Sequence, residues 1–125
     1  MSEKSRKSKW PKNLKPHPIP IYGGDLYVIR DRETYQQCMT HLTGDPTVMD
    51  LTPFGGRYNQ LTDKKTGNRI FLCGVFSGDN ATLVHELFHI AFCVLDLAGV
   101  RVTEDNHEAL AYLLGFLFRA TRDQI

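Results

Sequence analysis

Leu83-Val84-His85-Glu86-Leu87-Phe88-His89-Ile90-Ala91-Phe92 is the stretch around which the rest of the chain has to be arranged. Its large apolar residues recur at helical spacing, and a break at Ser77-Gly78-Asp79-Asn80 supplies good N-cap residues before it. Gly99 stands where a helix ends. The spacing therefore predicts one long helix over residues 80–97. Positions four apart share a helix face, with about 5–6 Å between Cβ atoms, so His85 and His89 can aim two imidazoles at one ion. Glu86 sits one step round, able to reach an activated water without being a ligand. That is the mechanical content of His-Glu-x-x-His: two neutral nitrogens and a carboxylate base beside an open coordination place. Burying three ionisable groups in such a helix costs several kcal/mol unless they are paired or hold a metal. The plainer alternative is two core histidines satisfied by hydrogen bonds, with Glu86 in solvent.

Upstream, Asp25-Leu26-Tyr27-Val28-Ile29-Arg30 has the β-formers of a first strand, and residues 32–42 read as a short polar helix closed by Gly44 before Pro46. Gly55-Gly56 opens a strand over residues 57–61. Asp63-Lys64-Lys65-Thr66-Gly67-Asn68 has turn chemistry, and Ile70-Phe71-Leu72-Cys73-Gly74-Val75-Phe76 is an apolar run suited to a strand covered on both faces. These two strands are expected as a hairpin. Downstream, Thr103-Glu104-Asp105 is expected to start a second helix of about 17 residues, with acids in its first turn and Arg119 and Arg122 near its end. The connection over residues 98–102 is short, so an antiparallel helix pair is expected. The second helix, apolar on nearly every side over residues 109–118, should be the buried one. The fold class is α+β: a small antiparallel or mixed sheet with a β-hairpin, packed on the helix pair.

A length of 125 residues suits one domain, expected over residues 21–125. The formal net charge of +1 implies neither an acidic substrate nor a nucleic-acid partner. The charge is uneven, however. Lys4, Arg6, Lys7, Lys9, Lys12 and Lys15 face a single acid, Glu3, so residues 1–20, which also carry Pro11, Pro16, Pro18 and Pro20, are expected as a basic flexible arm. Such a run is ordinarily a solvated tail; it also suits contact with nucleic acid or an acidic partner. Cys38, Cys73 and Cys93 are an odd set without metal-type spacing, which points to a reducing compartment. The basic start meets Trp10-Pro11-Lys12 rather than an apolar segment, so no signal peptide is expected. The longest apolar run, residues 109–118, falls short of the roughly 20 residues of a membrane span. A cytoplasmic protein without membrane contact is expected.

A catalytic zinc needs a third protein ligand, with water in the fourth place. Asp96 lies about two turns, ~10 Å, beyond His89 and is too far. A returning second helix favours Glu108 or His107. Cys93 shares a face with His89, although a buried cysteine is more often a small hydrophobe. Tyr58 has no assigned place.

His85-Glu86-Leu87-Phe88-His89, eighteen intervening residues and Glu108 resemble the His-Glu-x-x-His-x18-Glu spacing of the gluzincin metallopeptidases, such as the zinc aminopeptidases, and lie close to that of the thermolysin group. Asn106-His107-Glu108-Ala109-Leu110-Ala111 is similar to their Asn-Glu-x-x-Ala context, with His107 inserted. The chain is similar as well to the small His-Glu-x-x-His proteases related to ImmA and IrrE. The likeness covers residues 83–119, about a third of the chain, and lacks the larger peptidases' accessory domains. It implies a zincin-like fold, Zn2+ held by His85, His89 and Glu108, Glu86 as general base, and hydrolysis of a protein or peptide substrate. Tyr112, one turn beyond Glu108, is the candidate donor to the oxyanion. The likeness also implies that one strand of the hairpin lines the cleft and binds substrate by strand addition. A different class remains beside this one: a zinc-stabilised binding module whose basic arm contacts nucleic acid or a protein partner.

Overall fold

Ile70 to Val75 cannot be left in water on either side, and the chain answers by putting this segment in the middle of a sheet. The computed structural model describes residues 9–125. β1 (His17–Pro18), β2 (Asp25–Ile29), β3 (Gly56–Thr62) and β4 (Arg69–Val75) form one four-stranded sheet in the order β1-β2-β4-β3. β4 is buried at every position after Arg69. It pairs parallel with β2, Leu26 opposite Phe71 and Val28 opposite Cys73. It pairs antiparallel with β3, Tyr58 opposite Cys73 and Gly56 opposite Val75. The hairpin expected from the sequence is therefore β3–β4, and β3 is left at the edge of the sheet.

The two faces of β4 feed two cores, as strand alternation requires. Ile70 and Leu72 join Ile29, Tyr35, Cys38 and Leu51 under α1 (Arg32–Thr43). Phe71, Cys73 and Val75 join Leu26 and Val28 under α2 (Asn80–Leu97) and α3 (Glu108–Thr121). Helices thus cover both faces of the sheet. The molecule is α+β with a small mixed sheet, and α1, the helix expected over residues 32–42, covers the face of the sheet away from the helix pair.

α2 has the bounds the sequence predicts. The Asp79 carboxylate accepts from the Thr82 backbone N–H at 2.7 Å, satisfying one of the free donors of the first turn. At the other end Gly99 has φ +78°. Its N–H donates to the Asp96 carbonyl at 3.0 Å, and that of Val100 to the Leu95 carbonyl at 2.9 Å, the paired bonds of a Schellman closure. Leu83, Glu86, Leu87, Ile90, Ala91, Val94 and Leu95 are buried along one stripe. Among the described residues α2 is the helix long and apolar enough to cross a membrane, with mean hydropathy 1.2; here that stripe is occupied by the protein core.

α3 departs from expectation twice. It begins at Glu108, five residues later than predicted, because residues 104–107 form turns. The Asn106 backbone N–H donates to the Thr103 carbonyl at 3.1 Å, and its side-chain amide to the Arg101 carbonyl at 2.6 Å. Short polar side chains here bond the local backbone instead of starting a helix. Nor is α3 the buried helix. Its buried stripe is Leu110, Leu113, Leu117 and Thr121, while Tyr112 and Phe116 stand exposed; α2 is the more deeply packed of the two.

The expected arm divides. Lys4, Arg6 and Lys7 lie outside the described residues. From Trp10 onward the segment rests on the domain: the Trp10 ring meets Tyr27 edge-on at 5.0 Å and His41 at 5.4 Å, Leu14 packs on the core under α1, and β1 pairs with β2, with His17 opposite Leu26.

Candidate metal centre

α2 carries His85 and His89 on its less buried side, and the two rings converge. Their Nε2 atoms lie 3.3 Å apart, within hydrogen-bond distance of one another, with the ring planes at 76°. A tetrahedral zinc with Zn–N bonds of about 2.0–2.1 Å sets two of its nitrogens about 3.3–3.4 Å apart. The pair therefore has the bite of one edge of a zinc tetrahedron. The His85 side chain is 67% exposed, so the point on which the rings converge is open to ligand.

Glu86 is on the other side of the same turn. It is a buried residue, 7% exposed, and its Oε2 lies 3.9 Å from His85 Nε2. Burial pushes its carboxyl above the ordinary carboxylate range, and the nearby His85 and His89 pull it partly back. A carboxylate held close to two imidazoles, with burial resisting its charge, is poised to take a proton.

β3 builds the opposite wall. The Tyr58 ring lies flat on that of His89, 5.0 Å between centroids and 12° between planes. Two residues earlier on the same face, Gly56 lets the strand pass against α2: a Cβ there would come within 2.5 Å of Thr82 Cγ2 and 2.9 Å of Glu86 Oε2. The Gly55 carbonyl fixes this approach by accepting from the Phe76 and Ser77 N–H groups at 2.8 and 2.9 Å. Ser77 Oγ in turn bonds Thr82 Oγ1 at 2.7 Å. The end of β4, the start of β3 and the first turn of α2 are thereby tied at one corner.

Of the residues expected at the site, His85, Glu86 and His89 are brought together. Glu108 is not. It is exposed at the start of α3, and no group of three or more His, Cys, Asp or Glu side chains placed to hold a metal occurs among the described residues. The late start of α3 is the physical reason: residues 104–107 are spent on turns rather than on the helix that was to carry position 108 back towards the pair. His107 is exposed beside it, and Tyr112 is 74% exposed. The structure adds Tyr58 and Gly56, which sequence reading left without a role. A strand over residues 57–61 was legible; that it includes Gly56 and borders α2 was not.

Comparison with protein-family models, with curated proteins and with solved structures gives no match.

The three cysteines do not offer a competing nucleophile. Burial pushes the Cys38 thiol up to about 12, raises that of Cys73 further, and raises that of Cys93 as well. The thiolate, the reactive form, is thus suppressed at all three.

Proposed function

We propose that this chain is a small zinc-dependent peptidase of zincin-like build, using His85 and His89 as zinc ligands and Glu86 as general base. The observation that carries the reading is the 3.3 Å separation of the two Nε2 atoms beside a buried carboxylate. Two donors of a tetrahedral set fit; a third has to be recruited. Glu108 is the proposed third ligand. It follows exposed turns at residues 104–107; Val100 and Val102 earlier in the connection pack on the core, so the segment able to rearrange at little cost is the short run just before Glu108.

Zinc held there would supply a Lewis acid and a water acidic enough to ionise near neutral pH. Glu86 then has two tasks. It accepts the proton of the attacking water on its carboxylate, and it returns that proton to the nitrogen of the departing amine. Its raised affinity for protons favours the first step. β3, at the sheet edge, is the strand of the hairpin proposed to receive an extended peptide by main-chain pairing. Tyr112, exposed as it stands, would reach an oxyanion only if α3 moved together with Glu108. We further propose a reducing, cytoplasmic setting on the basis of the three unpaired thiols.

The test is Glu86→Gln. Peptide hydrolysis by the zinc-loaded protein should fall at least a hundredfold, the usual worth of a general base, while zinc content stays at about one per chain. Full activity in the variant would remove Glu86 from the mechanism.

One observation favours a second reading. Lys9, Lys12, Lys15 and Arg30 line a cavity of about 460 Å³ beside Trp10. A zinc-stabilised binding module would use such a basic face to hold nucleic acid or an acidic protein. Salt-sensitive retention on nucleic acid by a chain without hydrolytic activity would favour it.

A further inference from the structure

Beyond His89 the exposed side of α2 carries Phe88, 44% exposed, and Phe92, 45% exposed. Their rings are 6.4 Å apart and tilted by 31°. Together with Tyr58, His89, Cys93 and Asp96 they line an open pocket of about 420 Å³. Each of these phenylalanines keeps nearly half of its surface exposed on the side of α2 away from its core stripe. A rimmed apolar hollow of this kind marks a ligand contact.

Resting on the peptidase reading above, we propose that this pocket is the subsite for one large apolar side chain of the substrate, aromatic, Leu or Met, adjacent to the bond that is cut. The pocket shares His89 with the metal pair and Tyr58 with the strand wall, so its occupant lies next to the reacting centre. Gly56 and Tyr58 turn to the α2 side of β3, whereas Asn59 turns to the other, accepting from the Tyr35 hydroxyl at 2.6 Å. An extended peptide laid along that edge presents every second side chain to the α2 side, and the one level with His89 lies against the exposed Phe88 and Phe92 rings. One carboxylate, Asp96, and no Lys or Arg line the hollow among the described residues, and the two rings supply most of its apolar surface.

The test uses a heptapeptide library randomised at every position. Zinc-loaded Glu86→Gln protein captures peptides from it without turnover, and wild-type protein cleaves it. Sequencing of captured and cleaved peptides should show Phe, Tyr, Leu or Met enriched at one position, about tenfold or more over Ala, the scale of discrimination available to an apolar pocket. Phe88→Ala with Phe92→Ala should erase that enrichment while circular dichroism shows the fold retained and about one zinc per chain is still bound, with melting lowered only by the apolar area that the half-buried rings cover. Apolar enrichment on capture without cleavage by wild type would keep the subsite and discard the peptidase chemistry. Unselective capture and cleavage, enrichment untouched by the double substitution, or selection of Lys or Arg that disappears in Asp96→Asn would each overturn the proposal.

Discussion

The ring of Tyr58 lies face to face with that of His89 at 5.0 Å, so a residue on the sheet edge sets the orientation of a proposed metal ligand on a helix. A stacked pair of this kind is worth about 0.5–1.5 kcal/mol beyond burial. Tyr58→Ala should weaken zinc binding by severalfold to about tenfold, the range that energy spans, and Tyr58→Phe should restore it, because the ring rather than the hydroxyl does the positioning. Competition titration with a chromogenic chelator measures this. Equal affinity in the Ala variant would show that His89 needs no such support.

Gly56 is the point at which β3 and α2 come closest to the base. Gly56→Ala places a methyl group against Thr82 and Glu86 and should cost about 1–3 kcal/mol, the usual penalty for overpacking. Gly55→Ala is the control, since its Cβ would meet Ser77 Cβ at an ordinary 3.6 Å. Urea denaturation of the two variants should separate them clearly. Equal stability would mean that the strand can move aside.

Glu108→Ala should weaken zinc binding far more than His107→Ala, by at least tenfold in affinity, in the range by which even supporting residues of a metal site act. The opposite order would make His107 the third ligand; no effect from either would leave zinc on two protein donors.

His17 gives the fold a pH dependence. It is buried, its Nε2 has no hydrogen-bond partner among the described residues, and burial lowers its pKa below the ordinary 6.5, a hydrogen bond with Gln124 offsetting part of this. The unfolded chain therefore binds the proton more readily than the folded one. Stability from this group is complete above pH 6.5 and is lost as pH falls from there through the lower folded-state value. Denaturation of metal-free protein between pH 7.5 and 5 should show a loss that His17→Leu, which has nothing to protonate, does not share. Parallel losses in both proteins would place the dependence elsewhere.

The elements with local punctuation were legible in the sequence. α2 was readable at both ends because Asp79 and Gly99 are cap residues acting within one turn, and the β3–β4 hairpin because polar turn chemistry separates two β-forming runs. α3 was misread at its start because Thr103, Glu104 and Asp105 resemble a first turn, yet the Asn106 side chain bonds the Arg101 carbonyl instead. The parallel pairing of β2 with β4 joins residues far apart in sequence, and it is this pairing that sends β3 to the edge. Tyr58 and Gly56 acquire their places only through it. Trp10 belongs to a basic, proline-rich segment whose composition resembles a free tail; its ring contacts with Tyr27 and His41 are tertiary and leave no periodic signal. At the site, the His85–Glu86–His89 grouping follows from helix geometry alone, whereas Glu108 depended on where a second helix begins.

Zinc stoichiometry is the most direct measurement. Protein purified without chelator, and the double variant His85→Ala with His89→Ala prepared alongside, should be analysed by inductively coupled plasma mass spectrometry and titrated with zinc. The expected result is about one zinc per chain in the wild type and none held by the variant. A wild type that neither retains nor takes up zinc, or a variant that binds it equally well, would contradict the assignment of His85 and His89 as a metal pair.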